Sequence, residues 1–138
     1  MKGDAVFVDT NILYYAYDKL GGKKHEIAKE LVSNLWKAET LPSISVQVLQ
    51  ELYVTLIKRG ASATKSNEIV SDYFAWNIVE NTLHIFKEAL RIQERYKTSF
   101  WDASILASAD AFKANIIYTE DLNHNQIYGT TKAVNPFM

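Results

Sequence analysis

The chain alternates between short, continuous apolar runs and longer stretches in which apolar residues recur every three or four positions. Continuous runs such as residues 5–8 are typical of strands buried on both faces, whereas the longer period indicates amphipathic helices. Strands are predicted over residues 5–9, 41–46, 76–80, 114–119 and 132–135. Helices are predicted over residues 10–18, 23–39, 46–59, 63–75, 82–96 and 99–113.

The order of these elements predicts the fold class. Strands that alternate with helices form parallel sheets covered on both sides, so we expect an α/β fold. The specific prediction is a three-layer α/β/α sandwich with a central, mainly parallel sheet of four to five strands. Residues 120–131 are rich in Asp, Asn, Gly and Thr and predict a loop, and the strand after it is expected at the sheet edge. A length of 138 residues suits a single domain spanning residues 1–138.

Composition narrows the function classes. The absence of cysteine excludes disulfide scaffolds, zinc ribbons, iron-sulfur clusters and thiol nucleophiles. No apolar run approaches the roughly 20 residues of a membrane span, and the N-terminus does not resemble a signal peptide, so a cytoplasmic protein is expected. A net charge of −1 gives no overall positive field for nucleic acid.

Four acidic residues follow or lie close to the carboxyl ends of predicted strands. Asp9 ends the first strand, Asp121 follows the strand over 114–119, and Asp102 lies in the first turn of the sixth helix. Glu51 lies within two turns of the start of the helix that follows the second strand. Ligands of open α/β sheets bind beyond the carboxyl ends of the strands, so these acids are the candidates for chemistry.

Each acid also has an ordinary structural interpretation when it is taken alone. Asp9 suits the cap of the helix that follows it, and Asp121 suits a loop. Asp102 completes an S-x-x-D sequence, which is a variant of the capping box. Glu51 lies on the polar side of its helix with Gln47, where a solvated glutamate is expected.

Asp102 is harder to explain as a cap. A helical projection places it on the same side as Trp101 and Ile105, the side predicted to face the core. A carboxylate beside apolar groups is costly unless it is compensated, and no lysine or arginine lies in that turn. Several carboxylates gathered at one sheet edge would likewise have raised pKa values unless a cation lay among them. The joint pattern therefore predicts a bound cation.

The ligand type indicates which cation and which chemistry to expect. An all-oxygen set favours Mg²⁺ or Mn²⁺ over zinc, and His25, His84 and His124 are scattered without a metal-binding spacing. Acidic magnesium sites typically act on phosphate esters, where the ion activates water and neutralises the phosphate. The chain contains neither GxxxxGK[ST] nor GxGxxG, so it has no candidate glycine-rich loop for a nucleotide.

Four short motifs carry a resemblance to a known family. They are Val8-Asp9-Thr10-Asn11, Gln50-Glu51-Leu52, Phe100-Trp101-Asp102-Ala103-Ser104-Ile105 and Tyr118-Thr119-Glu120-Asp121. In this order and spacing they resemble the PIN domain and are most similar to the VapC-type ribonuclease toxins of type II toxin-antitoxin systems. Each motif alone is weak, but the ordered set is specific and extends over essentially the whole chain.

The resemblance implies an endoribonuclease that depends on Mg²⁺ or Mn²⁺ and hydrolyses RNA with a metal-activated water, without the 2′-hydroxyl as nucleophile. It also implies a homodimer and a small antitoxin whose C-terminal segment lies across the active face. Asp9 and Asp102 would be the principal ligands, and either Glu120 or Asp121 could turn inward. The implied pocket consists of Asp9, Glu51, Asp102 and Asp121, supported by Asn11 and Thr119.

Other readings of the same residues remain open. A phosphatase or a structure-specific DNA nuclease would use the same acids, although a haloacid-dehalogenase-type phosphatase needs Asp-x-Asp where this chain has Asp9-Thr10-Asn11. A receiver-like module needs an adjacent acidic pair after the first strand, which is absent. A non-toxin PIN nuclease in RNA processing, or a catalytically weak metal- or RNA-binding module, also fits. Candidate substrate contacts are Lys23, Lys24, Lys58, Arg59, Lys65, Arg91, Arg95 and Lys97.

Overall fold

The computed structural model describes residues 4–138. Its strands, β1 to β6 in chain order, are Val6–Val8, Ser43–Ser45, Asn77–Val79, Ile116–Tyr118, Ile127–Tyr128 and Thr131–Val134. Its helices, α1 to α6, are Thr10–Tyr17, Lys23–Trp36, Val46–Lys58, Ala63–Asp72, Leu83–Tyr96 and Phe100–Ala111, and a 3₁₀ turn over Tyr73–Ala75 follows α4.

The six strands form one sheet in the order β3-β2-β1-β4-β6-β5. Every neighbouring pair from β3 to β6 is parallel, and only β5 runs antiparallel, to β6. Helices α5 and α6 pack together, with α6 against β2 and β6, while α1 packs on α2 and α3, and α3 on α4. The predicted α/β/α sandwich with a mainly parallel sheet is confirmed.

The end of the chain differs from the prediction. The strand expected at the sheet edge, β6, lies inside the sheet, because the predicted loop contains the two-residue strand β5, which pairs with it. Gly129, with a φ of +65°, turns the chain between the two strands, and its amide donates to the Tyr96 hydroxyl at 2.7 Å. Thr131 is buried and donates to the Ala114 carbonyl at 2.8 Å.

Burial of the central strands explains their continuous apolar character. Phe7, Val8, Ile44 and Ile117 are fully buried in the main core cluster. A strand covered on both faces cannot alternate with polar residues without burying them, so an unbroken apolar run is the expected sequence. Among the described residues, no helix is both long enough and apolar enough to span a membrane.

Side-chain caps set the start of four helices, α3 to α6. Ser45, Ser62, Thr82 and Ser99 each accept a hydrogen bond from the amide three residues later. Such caps satisfy one of the amides that a helix start leaves unpaired. They fix where α3 and α6 begin, and therefore where the acids on these helices lie.

The register of β1 and β4 brings two distant segments together. Val8 lies opposite Tyr118 in the parallel pair, and the Asp9 amide donates to the Tyr118 carbonyl at 3.0 Å. Since both strands end at the same sheet edge, the residues that follow them, Asp9 and Thr119, lie side by side. This edge is where the candidate acids were expected.

Candidate active site

Asp9 lies at the centre of this edge and is only 6% exposed. It is the cap residue of α1, and its Oδ1 accepts from the Thr10 amide at 2.7 Å. Its Oδ2 accepts from the Thr119 hydroxyl at 2.8 Å. Asp9 therefore has the structural role that its position suggested, and its carboxylate is also fixed in one orientation.

Thr119 and Asn11 connect Asp9 to Asp121. The Thr119 hydroxyl donates to Asp9 and also accepts from the Asp121 amide at 3.1 Å, which holds the start of the loop after β4. The Asn11 Nδ2 donates to the Asp121 Oδ2 at 2.9 Å. The two polar residues that the sequence predicted as supports thus contact the predicted acids.

Glu51 is held by a residue that sequence reasoning missed. The Thr10 hydroxyl donates to the Glu51 Oε1 at 2.8 Å, across 41 positions of the chain. The expectation of a solvated polar side for α3 is wrong at this end of the helix. Gln47, one turn before Glu51, is 6% exposed and accepts from the Ser104 hydroxyl at 2.8 Å, because α6 covers that side.

Asp102 enters the same region from α6. The hydroxyl of Ser99 caps the helix by accepting from the Asp102 amide at 3.1 Å, so half of the expected capping box is present. The Asp102 carboxylate is half-buried and lines the cavity that also contains the other acids. Its neighbour Trp101, predicted on the core side, is instead 61% exposed.

The four predicted acids line one open cavity of about 680 Å³. Asn11 and Glu120 also line it, whereas Thr119 lies fully buried behind its wall. The cavity is bordered by residues from both ends of the chain, and α1, α3, α6 and the loop after β4 each supply part of it. The structure thus brings together the side chains that the sequence singled out.

Electrostatic repulsion and burial act on these acids together. The pKa of Asp9 is raised from 3.8 to about 7, mainly by burial, and Asp121 and Glu51 raise it further. The hydrogen bonds from Thr119 and Thr10 oppose this rise. Burial also raises the pKa of Asp102, with smaller contributions from Asp121 and Glu51. The cavity therefore carries negative charge that its own hydrogen bonds do not fully compensate.

The donor set suits a hard divalent cation. All four acids offer oxygen, and the buried Asn11 Oδ1 has no hydrogen-bond partner within residues 4–138. Within the same residues, no group of three or more acids, histidines or cysteines is already drawn together as a metal site. His124, the histidine nearest to Asp121 in sequence, accepts from the Asn135 amide at 3.0 Å.

Glu120 and Asp121 have different partners. Glu120 accepts from the Tyr15 hydroxyl at 2.9 Å and pairs with the Lys24 Nζ at 2.8 Å. Among the side chains of the described residues, Asp121 is hydrogen-bonded only to Asn11, through its carboxylate, and to Thr119, through its amide. Since Lys24 neutralises Glu120, the uncompensated charge of this loop lies on Asp121.

Most of the basic residues proposed for substrate contact lie outside the cavity lining. Arg59, the C-cap residue of α3, lines it, and in the described part of the chain no other lysine or arginine does so. The Arg59 guanidinium carbon lies 5.4 Å from the centre of the Tyr14 ring. Lys24 is engaged with Glu120, while Lys58 next to Arg59 lies outside the cavity lining.

Some residues of the site had little signal in the sequence. Thr10 directly follows Asp9, but nothing local predicts its bond to Glu51. Tyr15 and Lys24 hold Glu120 through contacts that span about a hundred positions, which only the sheet register explains. Gln47 did have a signal in the sequence. It lies four residues before Glu51, and residues at i and i+4 share a helix face.

The sequence profile of the PIN domain matches residues 6–129, which is most of the chain. The chain therefore belongs to the PIN domain family. Each of the four PIN-like motifs contributes one of the four acids, and these acids lie at one edge of the sheet. No curated protein matches the chain significantly.

Solved structures of toxins share this fold. A toxin-antitoxin complex from Klebsiella pneumoniae contains a chain that is 25% identical, with 96% of this chain and 97% of that chain covered and a TM-score of 0.68. VapC20 of Mycobacterium tuberculosis, a sarcin-ricin loop cleaving toxin, is 19% identical over 82% and 87% of the two chains, with a TM-score of 0.66. VapBC2 from Rickettsia felis, bound to a DNA fragment from its promoter, is 16% identical over 94% and 96%, with a TM-score of 0.65.

Proposed function

We propose that this protein is an endoribonuclease that depends on Mg²⁺ or Mn²⁺ and hydrolyses RNA phosphodiester bonds in the acidic cavity. The observation that carries the proposal is the meeting of Asp9, Glu51, Asp102 and Asp121 in one cavity, where burial and mutual repulsion raise the pKa of Asp9. A group of acids of this kind is costly without a cation. Membership of the PIN family and the toxins among the similar structures support the same activity.

The proposal gives each acidic side chain a role. Asp9 and Asp102 would be the principal ligands of the cation, and Glu51 and Asp121 would complete its surroundings directly or through water. When bound, the cation would activate water and neutralise the charge of the scissile phosphate. The residues of the chain act by holding the acids in place, since positioned carboxylates need no rearrangement before the reaction.

The positioning contacts are those already described. The Thr119 hydroxyl and the Thr10 amide fix the two oxygens of Asp9. The Thr10 hydroxyl orients Glu51, and Asn11 orients Asp121. Asp9, Glu51 and Asp121 are thus each held by donors of their own.

Asp102 and Asp110 offer a matched pair of variants for the test. Both lie on α6, but Asp102 lines the cavity and Asp110 is exposed away from it. We expect RNA cleavage with Mg²⁺ or Mn²⁺, loss of cleavage in chelator, loss in Asp102→Asn, and full activity in Asp110→Asn. Cleavage that persists in chelator, or full activity of Asp102→Asn, would refute the mechanism.

The biological role that we propose is the toxin of a toxin-antitoxin pair, acting in the cytoplasm as a homodimer with a small antitoxin as partner. The similar structures include a toxin-antitoxin complex that this chain matches over nearly its full length. Expression of the protein alone is expected to slow growth, and a small protein should co-purify with it from its native host. Harmless expression and isolation without a partner would favour an RNA-processing nuclease instead.

A further inference from the structure

The packing of the fold does not explain why Trp101 is so exposed. It is the second residue of α6, directly before Asp102, and 61% of its surface is exposed. Its side chain lines the same cavity as Asp9 and Asp102. A large indole at the mouth of a polar cavity loses the burial that usually stabilises it, so a ligand-facing role is the physical alternative.

The indole is oriented by neighbouring aromatic rings. The Trp101 ring centre lies 5.0 Å from that of Phe100, with the planes at 75°, and Phe100 contacts Phe86 at 5.7 Å, also at 75°. Edge-to-face contacts of this kind favour particular ring orientations. A single edge contact covers only part of an indole, and most of the surface of Trp101 stays available.

The negative charge of the cavity leaves little positive charge there to attract a nucleic acid. The acids repel a polyanion, the whole chain carries a net charge of −1, and Arg59 is the cavity's one basic residue within the described part of the chain. Phosphate contacts to basic side chains inside the cavity therefore supply little of the affinity. Stacking of bases on aromatic rings provides affinity without positive charge and tolerates any base.

We propose that Trp101 stacks on a nucleobase next to the scissile phosphate, while Arg59 contacts a phosphate of the same strand from the end of α3. This inference rests on the proposed ribonuclease function. The contact requires an unpaired base, because bases inside a duplex are stacked on each other and present no free face to a side chain. Trp101 is thus a residue that determines specificity for single strands.

A second copy of the chain is the competing occupant of this surface. Leu83, Phe86 and Leu90 of α5 are also exposed, and Phe86 is connected to Trp101 through Phe100. Trp101 differs from these three because it lines the acidic cavity. A second copy of this chain over that position would also desolvate carboxylates such as Asp102, which is costly without paired charges. The surroundings of Trp101 therefore favour RNA.

The test measures binding separately from cleavage. The Asp9→Asn protein, in which cleavage should be abolished, is titrated in Mg²⁺ with a short fluorescent RNA that forms no pairs, and with the same RNA annealed to its complement. Trp101→Ala should weaken binding of the single strand about 5- to 150-fold and leave duplex binding unchanged. Trp101→Phe should retain most of the affinity, because a phenyl ring also stacks.

Salt dependence separates the two contacts. Trp101→Ala should leave the slope of log affinity against log salt unchanged, since stacking releases no counterions. Arg59→Gln should reduce that slope by about 0.7, the value for one phosphate contact with a single strand. Equal binding by Trp101→Ala and its parent, or equal loss for single strand and duplex, would overturn the proposal.

A change in the native mass caused by Trp101→Ala, without selective loss of single-strand binding, would also overturn it and assign the surface to a second copy. The proposed function has its own readout. If the unsubstituted protein leaves RNA intact with Mg²⁺ or Mn²⁺, the hydrolytic function fails, whereas the comparison of single strand with duplex still decides the role of Trp101. If the protein cleaves RNA and Trp101→Ala binds normally, only the stacking proposal fails.

Discussion

Replacing Asp9 by asparagine should stabilise the protein when no divalent cation is bound. The carboxyl group is 6% exposed, and its pKa is raised from 3.8 to about 7, first by burial and then by Asp121 and Glu51. A group with a raised pKa binds more protons in the folded state, so its contribution to stability is present below pH 4 and is lost as the pH rises through 7. A rise of about three pKa units corresponds to about 4 kcal/mol.

The asparagine amide is uncharged at every pH and therefore resembles the protonated carboxyl group of Asp9. In chelator at pH 8, we expect the free energy of unfolding of Asp9→Asn to exceed that of the unsubstituted protein by up to about 4 kcal/mol. At pH 4 the difference should fall below about 1 kcal/mol, because Asp9 is then protonated in the folded protein. The raised pKa of Asp102 acts in the same direction, but Asp102 is present in both proteins and its contribution cancels.

The assay is urea unfolding in chelator over a series of pH values, with Asp110→Asn as the control for loss of an exposed acid on α6. Adding Mn²⁺ at pH 8 should then stabilise the unsubstituted protein and reduce the advantage of the variant, because a ligand that binds only the folded state raises its stability. An Asp9→Asn protein that is less stable than its parent at pH 8 in chelator would refute the reasoning. A difference that does not change with pH would refute it as well.

Two further predictions concern the neighbours of the acids. Asp121→Asn should lower RNA cleavage about 10- to 100-fold. Glu120→Gln should leave cleavage nearly unchanged, since Lys24 already neutralises Glu120. The reverse order of activities would show that Glu120 is the functional acid. Thr10→Val removes the donor to Glu51 and should lower the free energy of unfolding by about 0.5–1.5 kcal/mol and reduce cleavage, as measured by urea unfolding and by RNA cleavage. Thr10→Ser should restore both, and failure of serine to do so would exclude the hydroxyl as the cause.

The fold was largely predictable because its central strands are buried on both faces. Runs such as the one around Val8 carry their own signal, and residues of the cap type mark the helix starts, as Ser99 does for α6. Strand β5 was missed because a strand of two residues has no period to detect. Its pairing with β6 depends on the turn at Gly129, and this pairing is also why the predicted edge strand lies inside the sheet.

The meeting of the acids was predictable in part, since parallel strands end at a common edge and Asp9 and Asp121 follow two of them. What surrounds each acid was not predictable, because a helical projection separates polar from apolar sides without showing what covers either. Gln47 lies on a polar side and is buried by α6, while Trp101 lies on an apolar side and is exposed at the cavity. Both residues line the cavity, where local packing departs from the regular pattern of each helix.

The measurement that tests the central claim most directly is Mn²⁺ binding, followed by the loss of the paramagnetic resonance signal of free Mn²⁺ at neutral pH without RNA. The unsubstituted protein and Asp110→Asn should bind the ion equally well, and Asp9→Asn and Asp102→Asn should each bind it at least about tenfold more weakly. Undiminished binding in both cavity variants would contradict the claim that these acids form one cation site.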